Sequence, residues 1–145
     1  MTASDGVLDS PTSWVASHIH RYLETDGADG HEWRPGVFTL LLTTRGRHSG
    51  KLRRTALIYG RDGENYLVVA SQGGAPQHPA WYLNLLADPQ VDVQVGAERF
   101  TARARTATAE EKPGMWATMA KIWPAYNEYQ TKTDREIPVV VLERV

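Results

Sequence analysis

The chain contains no cysteine, which excludes disulfides, iron–sulfur clusters, thiolate zinc sites and cysteine nucleophiles together, and fits a reducing compartment, here read as the cytoplasm. It lacks a charge excess of either sign: 16 Lys and Arg stand against 17 Asp and Glu, a net charge of -1. The basic surplus of a duplex-binding domain is therefore missing, and nucleic acid is not an expected partner. No window approaches the run of about 18 apolar residues that a membrane span needs, and the polar, acidic start shows no secretory pattern. Repeats, low-complexity tracts and Asn-x-Ser/Thr acceptors are absent too. What remains is 145 residues of ordinary globular composition, 41% hydrophobic, enough for one core.

Along the chain, Ser10 and Pro11 read as N-cap and first residue of a helix whose apolar face carries Trp14, Val15, His18, Ile19, Tyr22 and Leu23. A Gly- and Pro-rich loop over 26–36 follows. The pattern then changes to β-rich runs at 37–44, 52–59, 66–71, 91–95, 99–106 and 137–144. Asp62-Gly63 and Gly96-Ala97 are hairpin signals, which makes the pairs they join antiparallel. Residues 67–70 and 139–142 are apolar without alternation, as in strands covered on both faces. Helices are expected over 79–87, from the Thr108-x-x-Glu111 capping box (or Pro113) to about Trp123, and over 125–130. Hairpins with interposed helices point to a mainly β, α+β domain: a six-stranded antiparallel split barrel, which would leave no exposed edge. Residues 1–30 read as a tail plus amphipathic helix and 31–145 as the single barrel domain.

Three features carry possible chemistry. Arg45-Gly46-Arg47-His48-Ser49-Gly50-Lys51, with Arg53 and Arg54, places five cations in ten residues. It reads either as a solvated hairpin tip or as an anion site where Gly amides and Arg forks hold phosphate or carboxylate. It is one residue short of a P-loop and lacks the magnesium-binding hydroxyl. Ala70-Ser71-Gln72-Gly73-Gly74 ends a buried-looking strand, either as a plain connection or as backbone placed close to a ligand. Trp123, Tyr126 and Tyr129, spaced by three, serve either core packing or a pocket for a planar molecule with a polar edge. The histidines show no metal-ligand spacing, so no metal site is expected.

Longer strings say more. Leu42-Thr43-Thr44-Arg45-Gly46-Arg47-His48-Ser49-Gly50, Tyr59-Gly60-Arg61-Asp62-Gly63, Val69-Ala70-Ser71-Gln72-Gly73-Gly74, His78-Pro79-Ala80-Trp81-Tyr82-Leu83-Asn84-Leu85 and Tyr126-x-x-Tyr129-Gln130-x-x-Thr133-Asp134-Arg135-x-Ile137-Pro138-Val139 together resemble the deazaflavin-dependent nitroreductase family. The resemblance runs from about Phe38 to the end. It implies a split β-barrel related to flavin mononucleotide (FMN)-binding oxidoreductases, and the use of reduced coenzyme F420, a deazaflavin with a phosphate and polyglutamate tail.

Carried over by position, the resemblance implies that Arg47, His48, Ser49 and Arg53 hold the anionic tail, and that Ser71, Gln72, Ala80 and Trp81 surround the ring. Ile58, Trp123, Tyr126 and Tyr129 would line the substrate site, with Ser71, Tyr126 and Tyr129 as catalytic hydrogen-bond donors. The pattern departs from the family's nitroreductase where His48 and Gln72 replace lysines and Trp123 and Ile58 replace tyrosines. The expected activity is hydride transfer to an electron-poor small molecule: a quinone, an enone or unsaturated lactone, or a nitroaromatic. The rival readings are an FMN-binding oxidoreductase of the same fold, and a non-enzymatic quinone- or lipid-binding module. In either setting the N-terminal helix would be available for peripheral contact with a membrane.

Overall fold

The computed structural model describes residues 7–145; the first six residues of the expected N-terminal tail lie outside the described residues. In chain order the elements are β1 (Val7–Asp9), α1 (Ser13–Glu24), β2 (Glu32–Arg34), β3 (Val37–Arg45), β4 (Leu52–Ile58), β5 (Gly60–Asp62), β6 (Asn65–Val69), α2 (Ala80–Ala87), β7 (Gln90–Val95), β8 (Glu98–Thr106), α3 (Lys112–Ile122), α4 (Ala125–Thr131) and β9 (Val139–Arg144). A 3-10 turn, Gln72–Gly74, joins β6 to α2.

The six expected strands are present, but the expected barrel is not. The described strands form a nine-stranded mixed sheet in the order β1-β4-β3-β7-β8-β9-β6-β5, with β2 paired to β3, and it is not closed. Closure fails at Tyr59. The 52–59 run was expected to turn through Asp62-Gly63 into the 66–71 run. Instead the chain breaks after Ile58, the Tyr59 amide bonds to the Phe38 carbonyl (3.0 Å), and β5 takes the hairpin with β6, pairing Asp62 with Asn65. α3 packs across this break so closely that a Cβ on Gly60 would stand 2.6 Å from Met119 Sδ. Nor is the sheet wholly antiparallel, because β1 runs parallel to β4, Val7 opposite Leu52 and Asp9 opposite Arg54. The open ends, β1 and β5, are three residues each and carry Asp9, Arg61 and Asp62, short and charged as edge strands tend to be.

The covered strands are as expected. Tyr66, Val68, Val140 and Leu142 enter one core with Leu40, Leu42 and Leu85, while Leu67, Val69, Val139 and Val141 enter another with Met115, Met119 and Tyr126. Alternate residues of the same two strands thus bury against different layers, which explains the uninterrupted apolar runs. The 96–97 hairpin also forms, with Val95 opposite Glu98 and Gly96 at φ 61°.

α1 starts at Ser13 rather than Pro11, because Asp9 is held extended on β4 and the Ser10 hydroxyl accepts the Thr12 amide in a turn before the helix. Both capping-box bonds form, Thr108 N to Glu111 Oε1 at 3.0 Å and Glu111 N to Thr108 Oγ1 at 3.2 Å, yet they close a turn just ahead of α3, whose first turn holds Pro113. The apolar face of α1 meets the sheet: Ile19 and Tyr22 are fully buried with Leu41.

His18 is buried on the same face, its Nε2 3.0 Å from Thr39 Oγ1. Burial, and then Arg21, push its pKa below the ordinary 6.5, with Asp29 opposing. Folding therefore disfavours the protonated ring. The contribution of His18 is present above its unfolded value and is lost as pH falls below about 6.5. The expected result is a thermal midpoint that declines over that window in the parent and less steeply in His18→Gln; equal slopes would remove His18 as the cause.

Candidate active site

One cavity of about 1020 Å³ opens between the cationic loop, β4, the Ser-Gly-Gly turn and the ends of α1, α2, α3 and α4. The twelve residues singled out from the sequence all line it: Arg47, His48, Ser49 and Arg53 from the loop and β4, Ile58 from the end of β4, Ser71 and Gln72 from the turn, Ala80 and Trp81 from the first turn of α2, and Trp123, Tyr126 and Tyr129 around α4. It is larger than most single-ligand pockets, which run to about 1000 Å³.

The cationic end is built from the β3–β4 hairpin. Gly46 N donates to the Lys51 carbonyl (2.8 Å) and Gly50 N to the Gly46 carbonyl (2.8 Å), while Arg45 Nη1 donates to the Gly50 carbonyl. Asn84, buried in the middle of α2, fixes the loop to the body. Its Oδ1 accepts from both the amide (3.2 Å) and the Nη1 (3.0 Å) of Arg47, and its Nδ2 donates to Thr44 Oγ1 (3.3 Å). Among the described residues none of Arg47, His48, Lys51 or Arg53 is in an ion pair, whereas Arg45 and Arg54 pair with Asp88 and Asp9. A hairpin tip whose charges are answered by acids would show the opposite. Arg47 and Arg53, unpaired and exposed, line the cavity and suit an anionic ligand.

At the other end β6 runs into a strained turn. Gln72 has φ 45° and is followed by Gly73 and Gly74, also in the left-handed region. A non-glycine residue there costs about 1 kcal/mol or more and persists only where its surroundings fix it. Two contacts do so. Gly74 lies so near α4 that a Cβ would stand 2.6 Å from the Tyr129 carbonyl oxygen. Arg135 clamps the turn from behind, donating to the carbonyls of Ala75 (2.9 Å), Ala70 (3.2 Å) and Ser71 (2.8 Å). Its Nη1 also lies 3.1 Å from His78 Nδ1. Burial, with Arg135 adding to it, lowers the His78 pKa, so the ring accepts that bond as the neutral form.

Ser71 is buried, and its hydroxyl makes no hydrogen bond among the described residues. Nor does that of Tyr126, which burial, with Tyr129 second, pushes well above the ordinary phenol value; it stays protonated and able to donate. Trp123 Nε1 donates to Tyr129 Oη (3.4 Å), leaving that hydroxyl proton free. Three hydroxyl donors therefore border one space walled by aromatic rings.

The model of the F420H(2)-dependent quinone reductase family matches residues 14–144. The chain belongs to that family. An F420H(2)-dependent quinone reductase of Mycobacterium tuberculosis is 40% identical over 135 residues, covering 88% of this chain and 87% of the relative. Among solved structures, an F420-H2 dependent reductase superposes with a TM-score of 0.67 at 43% identity, covering 72% of this chain and 93% of its own. A chain described as a domain-swapped dimer gives a TM-score of 0.71, also at 43% identity, over 92% of this chain and all of its own. Family membership makes the protein an F420-dependent oxidoreductase and sets aside the binding-module reading.

Sequence reasoning missed several lining or supporting residues. Asn84 carried a signal, since a polar residue amid Trp81-Tyr82-Leu83 and Leu85-Leu86 needs a buried partner. Trp14 was read only as helix face and Trp33 fell in the expected loop, yet both line the cavity, as do Leu8 and Asp9.

Proposed function

We propose that this cavity is where reduced coenzyme F420 meets a quinone-type acceptor, the anionic tail lying on the cationic loop and the two rings between the Ser-Gly-Gly turn and the aromatic wall. The observation that carries the reading is the joining, in one cavity, of unpaired cations at one end and free hydroxyl donors among aromatic rings at the other. The residues fit the group: guanidiniums and Ser49 for phosphate and carboxylate, Ala80 and Trp81 for an apolar ring face.

When bound, the cofactor supplies a hydride to an electron-poor carbon of the acceptor. Arg47 and Arg53 anchor and orient, with Asn84 holding Arg47 in place. The Gln72 backbone and Trp81, both lining the cavity, would hold the cofactor's ring, which replaces a chance encounter by a set geometry. Ser71, Tyr126 and Tyr129 offer protons where negative charge develops on the acceptor oxygen, in a pocket where aromatic rings limit water and so strengthen each such bond.

The test is a fluorescence titration with oxidised coenzyme F420 beside FMN: saturable binding of the deazaflavin alone is expected, and preference for FMN would overturn the cofactor assignment at this site. Ser71→Ala is expected to lower kcat about tenfold with cofactor affinity nearly unchanged, less than the ~100-fold typical of a lost oxyanion donor because two tyrosine hydroxyls face the same cavity. Arg53→Ala is expected to do the reverse. Equal effects of both on cofactor affinity would sink this division of roles.

A further inference from the structure

Trp123 does not stand alone at the cavity wall. Trp33, in β2, packs against it with ring centroids 5.5 Å apart, and Trp14, in the first turn of α1, stacks on Trp33 at 6.2 Å with an interplanar angle of 21°. The three indoles come from segments far apart in the chain and all line the same cavity. Trp14 is 61% exposed, although Ile19 and Tyr22 of the same helix are fully buried, so it is not a core residue of α1. The Arg34 guanidinium lies 4.5 Å from the centroid of Trp33 and steadies that ring through a cation–π contact. A row of aromatic rings leading from the mouth of a cavity to its reacting end is an apolar surface for something flat, and longer than one ring.

We propose that Trp14 and Trp33 form a second aromatic subsite, which takes the part of an extended planar acceptor that lies beyond the reacting ring and so selects fused-ring quinones over single-ring ones. This rests on the quinone-reductase reading above and deepens it. A single ring at the reacting end reaches Trp123, Tyr126 and Tyr129 only. A second fused ring extends toward Trp33, and substituents at the far edge meet Trp14. Contacts made equally in the ground state and the transition state change KM and leave kcat alone, so this subsite sets affinity and not the chemical step.

The experiment measures kcat and KM with saturating reduced F420 for 2-methyl-1,4-naphthoquinone and for 1,4-benzoquinone, in the parent, Trp33→Ala, Trp33→Phe and Trp14→Ala. KM for the naphthoquinone is expected to rise about tenfold in Trp33→Ala, the scale of a lost aromatic pair plus its buried area, and about threefold in the more exposed Trp14→Ala. Trp33→Phe is expected to recover most of the loss. Values of kcat, benzoquinone KM and cofactor affinity should stay within about twofold of the parent. Equal rises for both quinones, or no rise for either, would overturn the subsite.

Trp14→Ala removes a solvent-facing ring, so it keeps the test available if Trp33→Ala does not fold. Quenching of tryptophan fluorescence by naphthoquinone, titrated into the parent with oxidised F420 bound, separates the two levels. If the parent shows no turnover with either quinone, the proposed function fails. The subsite then stands only if quenching saturates in the parent and weakens in both alanine variants. A parent that is active but equally quenched in all variants fails the subsite alone.

Discussion

Arg135→Ala is expected to reduce turnover about a hundredfold, although Arg135 is not among the residues that line the cavity. Its guanidinium is the common support of the Ser71–Ala75 turn, satisfying the carbonyls of Ala70, Ser71 and Ala75 and meeting His78 Nδ1. Removing it leaves the Ala70 and Ala75 carbonyls without partners in a partly buried place, at about 1–3 kcal/mol for each that water cannot reach, while the Ser71 carbonyl keeps only the Gly74 amide (2.9 Å). The turn also holds Gln72 at φ 45°, a conformation the chain leaves once the support is gone. Ser71 then moves with the backbone, and a displacement near 1 Å at a reacting centre costs about a hundredfold.

Arg135 touches backbone rather than ligand, so it is a positioning residue, and its signature should differ from a simple loss of stability. The thermal midpoint is expected to fall by about 10 °C, with kcat falling far more than cofactor affinity, whose cationic loop lies elsewhere. Arg135→Lys, with one ammonium in place of the fork, should recover only part of the activity. Guanidinium ion added to the alanine variant at low millimolar concentration should recover some as well. A drop in turnover below about threefold would mean that the turn holds its shape without the clamp.

The sequence shows Ser71 but not what holds it. The six longer strands were legible because each is a β-rich run, apolar throughout as in β6 and β9 or alternating as in β7 and β8, and the candidate residues were legible because Thr-Asp-Arg-x-Ile-Pro and Pro-x-Trp-Tyr-Leu-Asn-Leu are unusual strings. The open sheet was not. β1, β2 and β5 are three residues long, too short for any period to appear, and the partner of Asp9 in the parallel pair is Arg54, 45 residues on. Arg135 works mainly through backbone carbonyls that every residue carries, so those partners, 60 to 65 positions away, leave no mark in residue type. Trp33 sits among Gly27, Gly30, Pro35 and Gly36, where composition argued for a loop. Its importance comes from Trp14 and Trp123 arriving beside it from two other elements.

Asp9→Asn is the second substitution expected to have a large effect, and the reason lies in Arg54. That side chain is 7% exposed, its Nε donates to Asp9 Oδ1 at 2.7 Å, and its Nη2 is buried with no hydrogen-bond partner among the described residues. The pair is therefore incompletely satisfied even in the parent, and Asp9 is the carboxylate that keeps the guanidinium from being an isolated buried charge. Breaking such a pair by removing one partner costs about 3–5 kcal/mol. Here the loss is capped, because Asp9 is 31% exposed and β1 is a three-residue edge strand that can leave β4 and let water reach Arg54. The expected result is a loss of about 2 kcal/mol in denaturant unfolding, together with faster hydrogen exchange at residues 7–9. Leu8 and Asp9 line the cavity beside Trp14, so KM for the acceptor should rise while cofactor affinity, set at Arg47 and Arg53, holds. Arg54→Leu combined with Asp9→Asn removes the buried charge along with its partner, and should be more stable than Asp9→Asn alone. If the double variant is no better than the single one, the penalty lies in the lost strand contact and not in the orphaned cation.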